Sequence, residues 1–538
     1  MLYKDALVRR IAPHMESLPV RLALRLPEGT RLGARDPEVV LAFSQWSSLA
    51  SLVAGRIGAL ACDVVEGRVT LEGAMRPAMQ AAASLLSHAG AARGGEHRPQ
   101  AAWMQGLARL RSWASHSRAH DARQVQFHYD VGDAFYALWL DPRRVYSCAY
   151  FRTPDLTLAQ AQEAKLDHIC RKLMLRPGER FLDIGAGWGA LLLWAAQHYG
   201  VRAQGITLSR NQHAHVTRLI EAQGLTGRVR IDLMDYRDLD ESVSYDKIAS
   251  VGMFEHVGCA QMDAYFTKIQ RLLRPGGLVM NHGITAGRIC PGQVDPGLSA
   301  FIERYIFPGG ELLPAWEVMQ HQADAGLEVV DVENLRPHYA RTLWAWSDRL
   351  EAKLQEASRA LVASAGAASA PRILRAYRLY LAGCAMAFER GWVSLHQVLA
   401  TRPTGEVDSG VIRGAQSDYP FSRDHLHTEA SMLYKFKSKA SGDLIMLEPN
   451  GRRMLEIIGK TPGAQGIIEV HQMAAAVAAL EGAVTQDEAQ RQAEADEARR
   501  HGHELQTQEA ITLRHRAAPL IEMLRRCEQG SADIVWGV

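Results

Sequence analysis

The run Arg180-Phe181-Leu182-Asp183-Ile184-Gly185-Ala186-Gly187-Trp188-Gly189-Ala190 constrains this chain more than any other stretch. An apolar strand enters a glycine-rich turn and leaves as the helical stretch Leu191 to Tyr199. In an open α/β sheet such a turn lies at the carboxyl end of the strand, where backbone without side chains can approach a ligand. The spacing is D-x-G-x-G-x-G, with Asp183 two residues before the first glycine. A carboxylate there suits a cationic or hydroxyl-bearing ligand and repels a dinucleotide's pyrophosphate.

The surroundings agree with a layered α/β unit. Phe181 to Ile184, Val201 to Ile206, Tyr245 to Val251 and Leu278 to His282 read as strands, with Val229 to Leu233 as a further one. The helical periods between them imply a parallel sheet covered on both faces. The second strand ends in Gly205-Ile206-Thr207-Leu208-Ser209-Arg210-Asn211-Gln212 without a ribose-binding acid, so Thr207 and Gln212 are the expected hydroxyl and amide contacts, beside Leu208. After the next strand, Asp235 can accept from an adenine amino group, and Tyr236 can pack on the ring.

Composition sets the remaining bounds. The chain has 538 residues, 47% hydrophobic and 22% charged, long enough for several domains with substantial cores. Seven widely spaced cysteines do not form a disulfide framework and fit a reducing cytoplasm. The first 15 residues lack the apolar core of a signal peptide, and no stretch is apolar enough to span a bilayer. A net charge of +2 argues against nucleic-acid binding. Histidines at 213, 215, 501 and 503 do not form a four-ligand zinc pattern, so no metal is expected.

Four regions are expected. Residues 1–120 form a mainly helical N-terminal domain with 15 Lys+Arg against 9 Asp+Glu, a surplus suited to weak attraction to anionic lipid. Within it, Gly67 to Gly73 alternates as a strand, Pro77 to Leu86 reads as a helix, and Ala89 to Pro99 as a flexible connection. Residues 121–402 form the catalytic domain. Residues 403–431, aperiodic and turn-rich, read as a linker. Residues 432–538 form a small α/β domain whose charge-dense stretch from Gln486 to Gln508 is a solvated helix or loop.

Seven segments carry a resemblance. They are His128-Tyr129-Asp130-Val131-Gly132, Val145-Tyr146-Ser147-Cys148-Ala149-Tyr150-Phe151, the glycine loop, Gly205 to Ser209, Ser250 to Gly258, His338-Tyr339-Ala340-Arg341-Thr342-Leu343 and Tyr380-Leu381-Ala382-Gly383-Cys384-Ala385. In this order the chain resembles the cyclopropane-fatty-acyl-phospholipid synthase family, which includes the mycolic acid cyclopropane synthases. The tail from residue 432 resembles a small bacterial domain family of unknown function. The resemblance implies the class I S-adenosylmethionine-dependent methyltransferase (Rossmann-like) fold. It also implies transfer of a methylene from S-adenosylmethionine to the cis double bond of an unsaturated phospholipid acyl chain.

Such chemistry needs aromatic faces to stabilise a carbocation and a base beside it. Phe127, Tyr129, Phe135, Tyr136, Trp139, Tyr146, Tyr150 and Phe151 supply aromatics, and the family position of Tyr146 lies against the donor. The family's base is a bound bicarbonate ion. Its cradle maps to Cys148, Glu255, His282 and Tyr339, with Ile284 as a backbone contact. Glu255 beside an anion must share a proton with it. Cys384 maps to the acyl pocket. The donor contacts expected are Tyr146, Asp183, Gly185, Gly187, Trp188, Gly189, Thr207, Leu208, Gln212, Asp235 and Tyr236. The N-terminal region favours the phospholipid branch, with the protein peripheral at the inner membrane surface; a homodimer is open. Two other readings stay open: a methyl-branched or small-amine product, and a non-catalytic lipid-binding protein.

Overall fold

The structure is a computed structural model describing residues 2–16, 18–91, 132–287, 312–404, 419–420, 422–427, 433–460, 466–500 and 513–536. Of the expected motifs, His128 to Val131 lie outside the described residues, as do Phe127, His501 and His503. The chain divides into two units, Met1–His425 and Leu426–Val538.

The N-terminal region comprises α1 (Leu2–Glu16), β1 (Leu22–Arg25), β2 (Arg31–Gly33), β3 (Val39–Phe43), α2 (Trp46–Val53), α3 (Ile57–Val65), β4 (Val69–Gly73) and α4 (Met75–Ala91). Most of it is helical, as expected, yet the helices surround a four-stranded sheet of order β2-β1-β3-β4. Only β4 had a legible alternation, because β1 and β2 are four and three residues long and β3, Val39–Phe43, is apolar throughout. Ala89 to Ala91, expected in a flexible connection, continue α4; the rest of that connection lies outside the described residues.

The second region contains α5 (Asp133–Trp139), α6 (Leu158–Lys172), β5 (Arg180–Ile184), α7 (Ala190–Tyr199), β6 (Arg202–Thr207), α8 (Arg210–Ala222), β7 (Val229–Leu233), β8 (Tyr245–Val251), α9 (Met262–Leu272) and β9 (Leu273–Ala286). It continues through α10 (Ala315–Asp324), β10 (Glu328–Asn334), α11 (Arg336–Glu351), α12 (Leu354–Ala365), α13 (Ala370–Glu389) and β11 (Val393–Thr401). The sheet order is β10-β11-β9-β8-β5-β6-β7. From β7 to β9 the pairings are parallel, as expected. β11 instead runs antiparallel to both β9 and β10, so the sheet is mixed. Strand order reverses at β5, whose neighbours are β6 and β8, which opens a crevice at its carboxyl end.

The two regions share one core. Leu24, Val65 and Met79 of the first belong to the same apolar cluster as Trp139, Trp346 and Tyr380 of the second. At the seam, Arg375 Nε donates to the Val65 carbonyl at 2.8 Å. The expected linker is partly anchored as well. Tyr419 is buried in the core beside the sheet, and the Arg423 guanidinium lies 4.7 Å from its ring while donating to the Val330 carbonyl. A turn-rich sequence does not reveal that one aromatic will find a slot.

The second unit has β12 (Leu433–Lys437), β13 (Leu444–Leu447), α14 (Glu448–Ile457), β14 (Gly466–Ile468), α15 (Met473–Arg500), α16 (Leu513–Gln529) and β15 (Ile534–Trp536). Its antiparallel sheet, β13-β12-β15-β14, buries Phe436, Ile534 and Trp536 with Leu480, Leu520 and Leu524 of the helices. Among the described residues of the chain, no helix is long and apolar enough to cross a membrane.

A buried ion cluster ties α6 to the edge strand β10. Lys172 Nζ lies 2.9 Å from Asp331 and 2.7 Å from Glu333, and His168 Nε2 meets Glu333 at 2.7 Å. Burial opposes ionisation of Glu333, but the His168 hydrogen bond and the Lys172 charge outweigh it and hold its pKa at about 2. Glu333 therefore contributes stability above its unfolded pKa, and this is lost as pH falls toward 2. Lys172→Met removes the buried lysine cation of the cluster, leaving Glu333 to His168 and Asp331 to the more distant Arg423 at 3.9 Å. It should cost about 3–5 kcal/mol, read as a lower thermal midpoint at pH 7, with the gap to wild type narrowing as the pH is brought down through the acid range.

Candidate active site

The glycine loop opens at Asp183, which is 2% exposed at the carboxyl end of β5. Gly187, at φ 55°, has nothing within 4 Å of where a Cβ would stand, so its backbone faces open space. Gly189 plays another part: at φ 82° it starts α7, and a Cβ would meet Val216 of α8 at 2.8 Å. The first is a place for a ligand, the second a packing requirement.

A cleft open to solvent lies above this loop, with about 1490 Å³ between its walls and the mouth. Tyr146, Asp183, Gly185, Gly187, Trp188, Thr207, Leu208, Gln212, Asp235 and Tyr236 all line it. Of the expected donor contacts only Gly189 does not. Burial raises the Asp183 pKa to about 7, with the Lys165 charge opposing it. Gln212 Oε1 accepts from Thr207 Oγ1 at 2.8 Å, while its Nε2 is buried without a partner. That orphaned donor and the empty space at Gly187 fit a polar ligand with both donors and acceptors. Asp235 is more engaged than expected: Arg237 Nε and Nη2 donate to its two oxygens at 2.9 and 2.6 Å. Tyr236 stands edge-on to Tyr265, with ring centroids 5.1 Å apart.

Sequence reasoning missed Lys165, which also lines the cleft. It is buried on α6, donates to Ser147 Oγ at 2.9 Å, and burial lowers its pKa to about 8. The signal was present. Leu158, Ala161, Leu166 and Ile169 give α6 an apolar stripe that Gln162 and Lys165 interrupt, although burial itself, which takes in every residue from Lys165 to Lys172, is not legible from that pattern. Arg144, also missed, lines the cleft and places its guanidinium 5.3 Å from the Trp188 ring.

The residues mapped to an anion cradle lie outside the cleft lining, at the carboxyl end of β9. Glu255, in the turn after β8, is buried and accepts from the Ile284 N–H at 2.6 Å through Oε1. Its Oε2 is buried without a partner, and burial raises its pKa to about 7. A glycine precedes Ile284 for lack of room: a Cβ at Gly283 would meet Phe254 at 2.0 Å and Glu255 Oε1 at 2.9 Å. His282 is 1% exposed and makes no hydrogen bond with Glu255. Burial, then the charges of Lys165 and Lys172, hold its ring well below the usual imidazole pKa. The Gln397 amide meets His282 Nδ1 at 3.2 Å, which leaves the ring N–H on the buried, unpartnered Nε2.

Cys148 and Tyr339 approach this region through Leu335. The Cys148 thiol reaches the Leu335 carbonyl at 3.9 Å, the Tyr339 N–H donates to that same carbonyl, and the Leu335 N–H bonds to Leu395, which pairs with Ile284. Burial pushes the Cys148 thiol pKa far up, so it is a neutral thiol. The structure thus joins Glu255 to Ile284 directly and groups Cys148 with Tyr339 nearby.

A nest of aromatic rings flanks the cleft. Tyr146 packs on Tyr136, Trp139 and Trp346 at 5.4–5.6 Å, and its hydroxyl lies 3.5 Å from that of Tyr380. Tyr339 packs on Phe388 at 4.7 Å. Cys384, one turn beyond Tyr380 on α13, joins the rim of this core, and burial raises its thiol to about 12. Phe135 is plain core, while Tyr150 stacks between His168 and His338 and Phe151 lies under Arg341.

Comparison with known proteins places this geometry. The mycolic acid cyclopropane synthetase family matches residues 116–398, and a domain family of unknown function, DUF1840, matches 432–536. A Pseudomonas putida protein described as a probable fatty acid methyltransferase is 41% identical over 422 residues, 78% of this chain and 100% of that one. Cyclopropane mycolic acid synthase 1 of Mycobacterium tuberculosis is 39% identical over 284 residues, 51% of this chain and 94% of that one. A solved coclaurine N-methyltransferase bound to N-methylheliamine and SAH shares the fold at 22% identity, with a TM-score of 0.52 over 64% of this chain and 99% of that one. The mixed seven-stranded sheet is that of a class I S-adenosylmethionine-dependent methyltransferase, and the chain belongs to the mycolic acid cyclopropane synthetase family.

Proposed function

We propose that the chain is a cyclopropane-fatty-acyl-phospholipid synthase, working at a membrane surface on the cis double bond of unsaturated phospholipid acyl chains. The observation that carries the reading is the buried Glu255, with a free Oε2 and a bond to the Ile284 N–H, on the same sheet edge as the glycine-loop cleft. An acceptor with its own proton to lose to water, such as an amine, has no need of a dry acid–base pocket.

S-adenosylmethionine, when bound, supplies a methyl group on a positively charged sulfur. Asp183 and the Gly185–Gly187 backbone would hold its polar end, with Gln212 Nε2 donating to a hydroxyl. Breaking the carbon–sulfur bond and forming a bond to one alkene carbon leaves positive charge on the other. The faces of Tyr146 and its neighbours stabilise that charge. Losing a proton from the new methyl group lets its carbon close the ring. A bicarbonate ion, for which the residues fit, would supply the base. Neutral Glu255 Oε2–H, His282 Nε2–H and the Tyr339 hydroxyl are the donors that would hold it, with Cys148 contributing through its backbone; the Ile284 N–H, spent on Glu255 Oε1, holds the acid in place instead. The P. putida relative's description as a fatty acid methyltransferase supports a second reading, a methyl-branched product.

Purified protein, S-adenosylmethionine and unsaturated phospholipid vesicles decide between them by mass spectrometry of the released fatty acids. A cyclopropane resists mild hydrogenation; a branched alkene takes up hydrogen, and its appearance would refute ring closure.

Three further outcomes are expected. Binding of the cationic donor should tighten as pH rises through about 7, where Asp183 ionises, and Asp183→Asn should weaken it by about 1.5–3 kcal/mol and flatten that dependence in calorimetry. Turnover should fall above pH 7 as Glu255 loses the proton that tolerates an anion, and Glu255→Gln should remove this limb and lower kcat by about 10²–10⁴ with donor affinity unchanged. A chain ending at His427 should keep product formation, because the second unit has its own core; a soluble, folded truncation without activity would overturn this.

A further inference from the structure

A second groove lies where α4 of the N-terminal region meets α11 and the end of α13, lined among others by Arg76, Arg336, Arg341, Trp344, Asp348 and Glu389. Its two carboxylates are engaged. Arg76 Nη2 lies 2.7 Å from Asp348 Oδ2 with its guanidinium 4.3 Å from the Trp344 ring, and the Trp344 indole N–H donates to Glu389 at 2.7 Å. Neither Arg336 nor Arg341 forms an ion pair with a carboxylate among the described residues, although the Arg341 charge, after a Thr153 hydrogen bond, helps to lower the pKa of the exposed Asp155. Arg336 Nη1 donates to the Phe388 and Glu389 carbonyls at 2.7 and 3.2 Å. Arg341 Nη2 donates to the Pro154 and Leu156 carbonyls, with its guanidinium 4.1 Å from the Phe151 ring.

Backbone carbonyls orient these forks without neutralising them, and the Asp155 near Arg341 is fully exposed to solvent, which screens it. Each guanidinium has five N–H donors and uses one nitrogen here, so charge and donors remain for an oxyanion. Planar arginine forks match phosphate oxygens better than lysine's point charge does.

The groove also adjoins the reaction pocket. Tyr339 is one turn along α11 from Arg336, and Phe388, whose carbonyl Arg336 holds, packs on the Tyr339 ring at 4.7 Å. Resting on the phospholipid reading above, we propose that this groove binds the phosphodiester of the lipid head group. Arg336 and Arg341 are its ligands, and the Arg76–Trp344 stack is the wall beside the glycerol. The N-terminal region thereby completes the substrate site, because Arg76 belongs to α4.

Calorimetry on the full chain tests this with three soluble probes: dihexanoylphosphatidylglycerol below its micellar concentration, dihexanoylglycerol, and inorganic phosphate. Wild type should bind the phospholipid at least tenfold more tightly than dihexanoylglycerol. The R336Q/R341Q variant should lose that tenfold while keeping S-adenosylmethionine affinity, which reports an intact fold. R336K/R341K, which keeps charge but not the fork, should recover part of it and serves if the glutamine variant does not fold. Equal phospholipid affinity in wild type and variants, or equal binding with and without the phosphate, would overturn the site. Inorganic phosphate binding as tightly as the phospholipid, and lost in the variant, would overturn the lipid assignment in favour of a free ion. Phosphate-dependent binding intact in a wild type that forms no cyclopropane from vesicles would support the groove while refuting the proposed reaction.

Discussion

Asp183 is buried at the point where the strand order of the central sheet reverses, and the nearest strong compensation for its charge is Lys165, itself buried on α6. Burying either alone would be costly. Together they leave a carboxyl poised near neutrality and an amine shifted toward it. The glycine loop, the Thr207–Gln212 hydrogen bond and the turn after β8 all converge on that carboxyl edge. A folded sheet is needed to hold such groups away from water, and the cleft is the opening it leaves.

Glu255 repeats the device on the other side of β8. Its carboxyl shares one oxygen with the Ile284 N–H and keeps the other unpartnered in a dry site. A group in that state is stable in its neutral form and can take or release a proton near pH 7 at little cost. The aromatic nest around Tyr146 adds a low-dielectric wall with negative ring faces. Such a wall favours positive charge over negative.

The shared apolar core explains how an N-terminal region with only short strands is stable. Leu24 and Val65 pack into the cluster that holds Trp139 and Trp346, so the region and the helices α11 to α13 fold as neighbours. The second unit shows the opposite pattern, with a core of its own around Phe436 and Trp536.

Much of this was legible in the sequence, for local reasons. The glycine loop declares itself through residues adjacent in the chain, and β5 to β8 through apolar runs of ordinary strand length, whereas of the 14 residues of β9 only Leu278 to His282 were read as strand. Ten of the eleven expected donor contacts line one cleft. What escaped was long-range. Lys165 could be seen as a polar break in the apolar stripe of α6, but its place beside the cleft could not, and Asp235 looked free until Arg237 folded back onto it. The antiparallel course of β11 depends on its hydrogen bonds to β9 and β10, strands over a hundred and about sixty residues away. The sequence by itself determined the binding edge and the chemistry placed along it, because backbone turn and side-chain type are local properties. Which polar groups lose their water, and which charges meet across α4, α11 and α13, only the tertiary structure decided, because desolvation is a property of the packed chain.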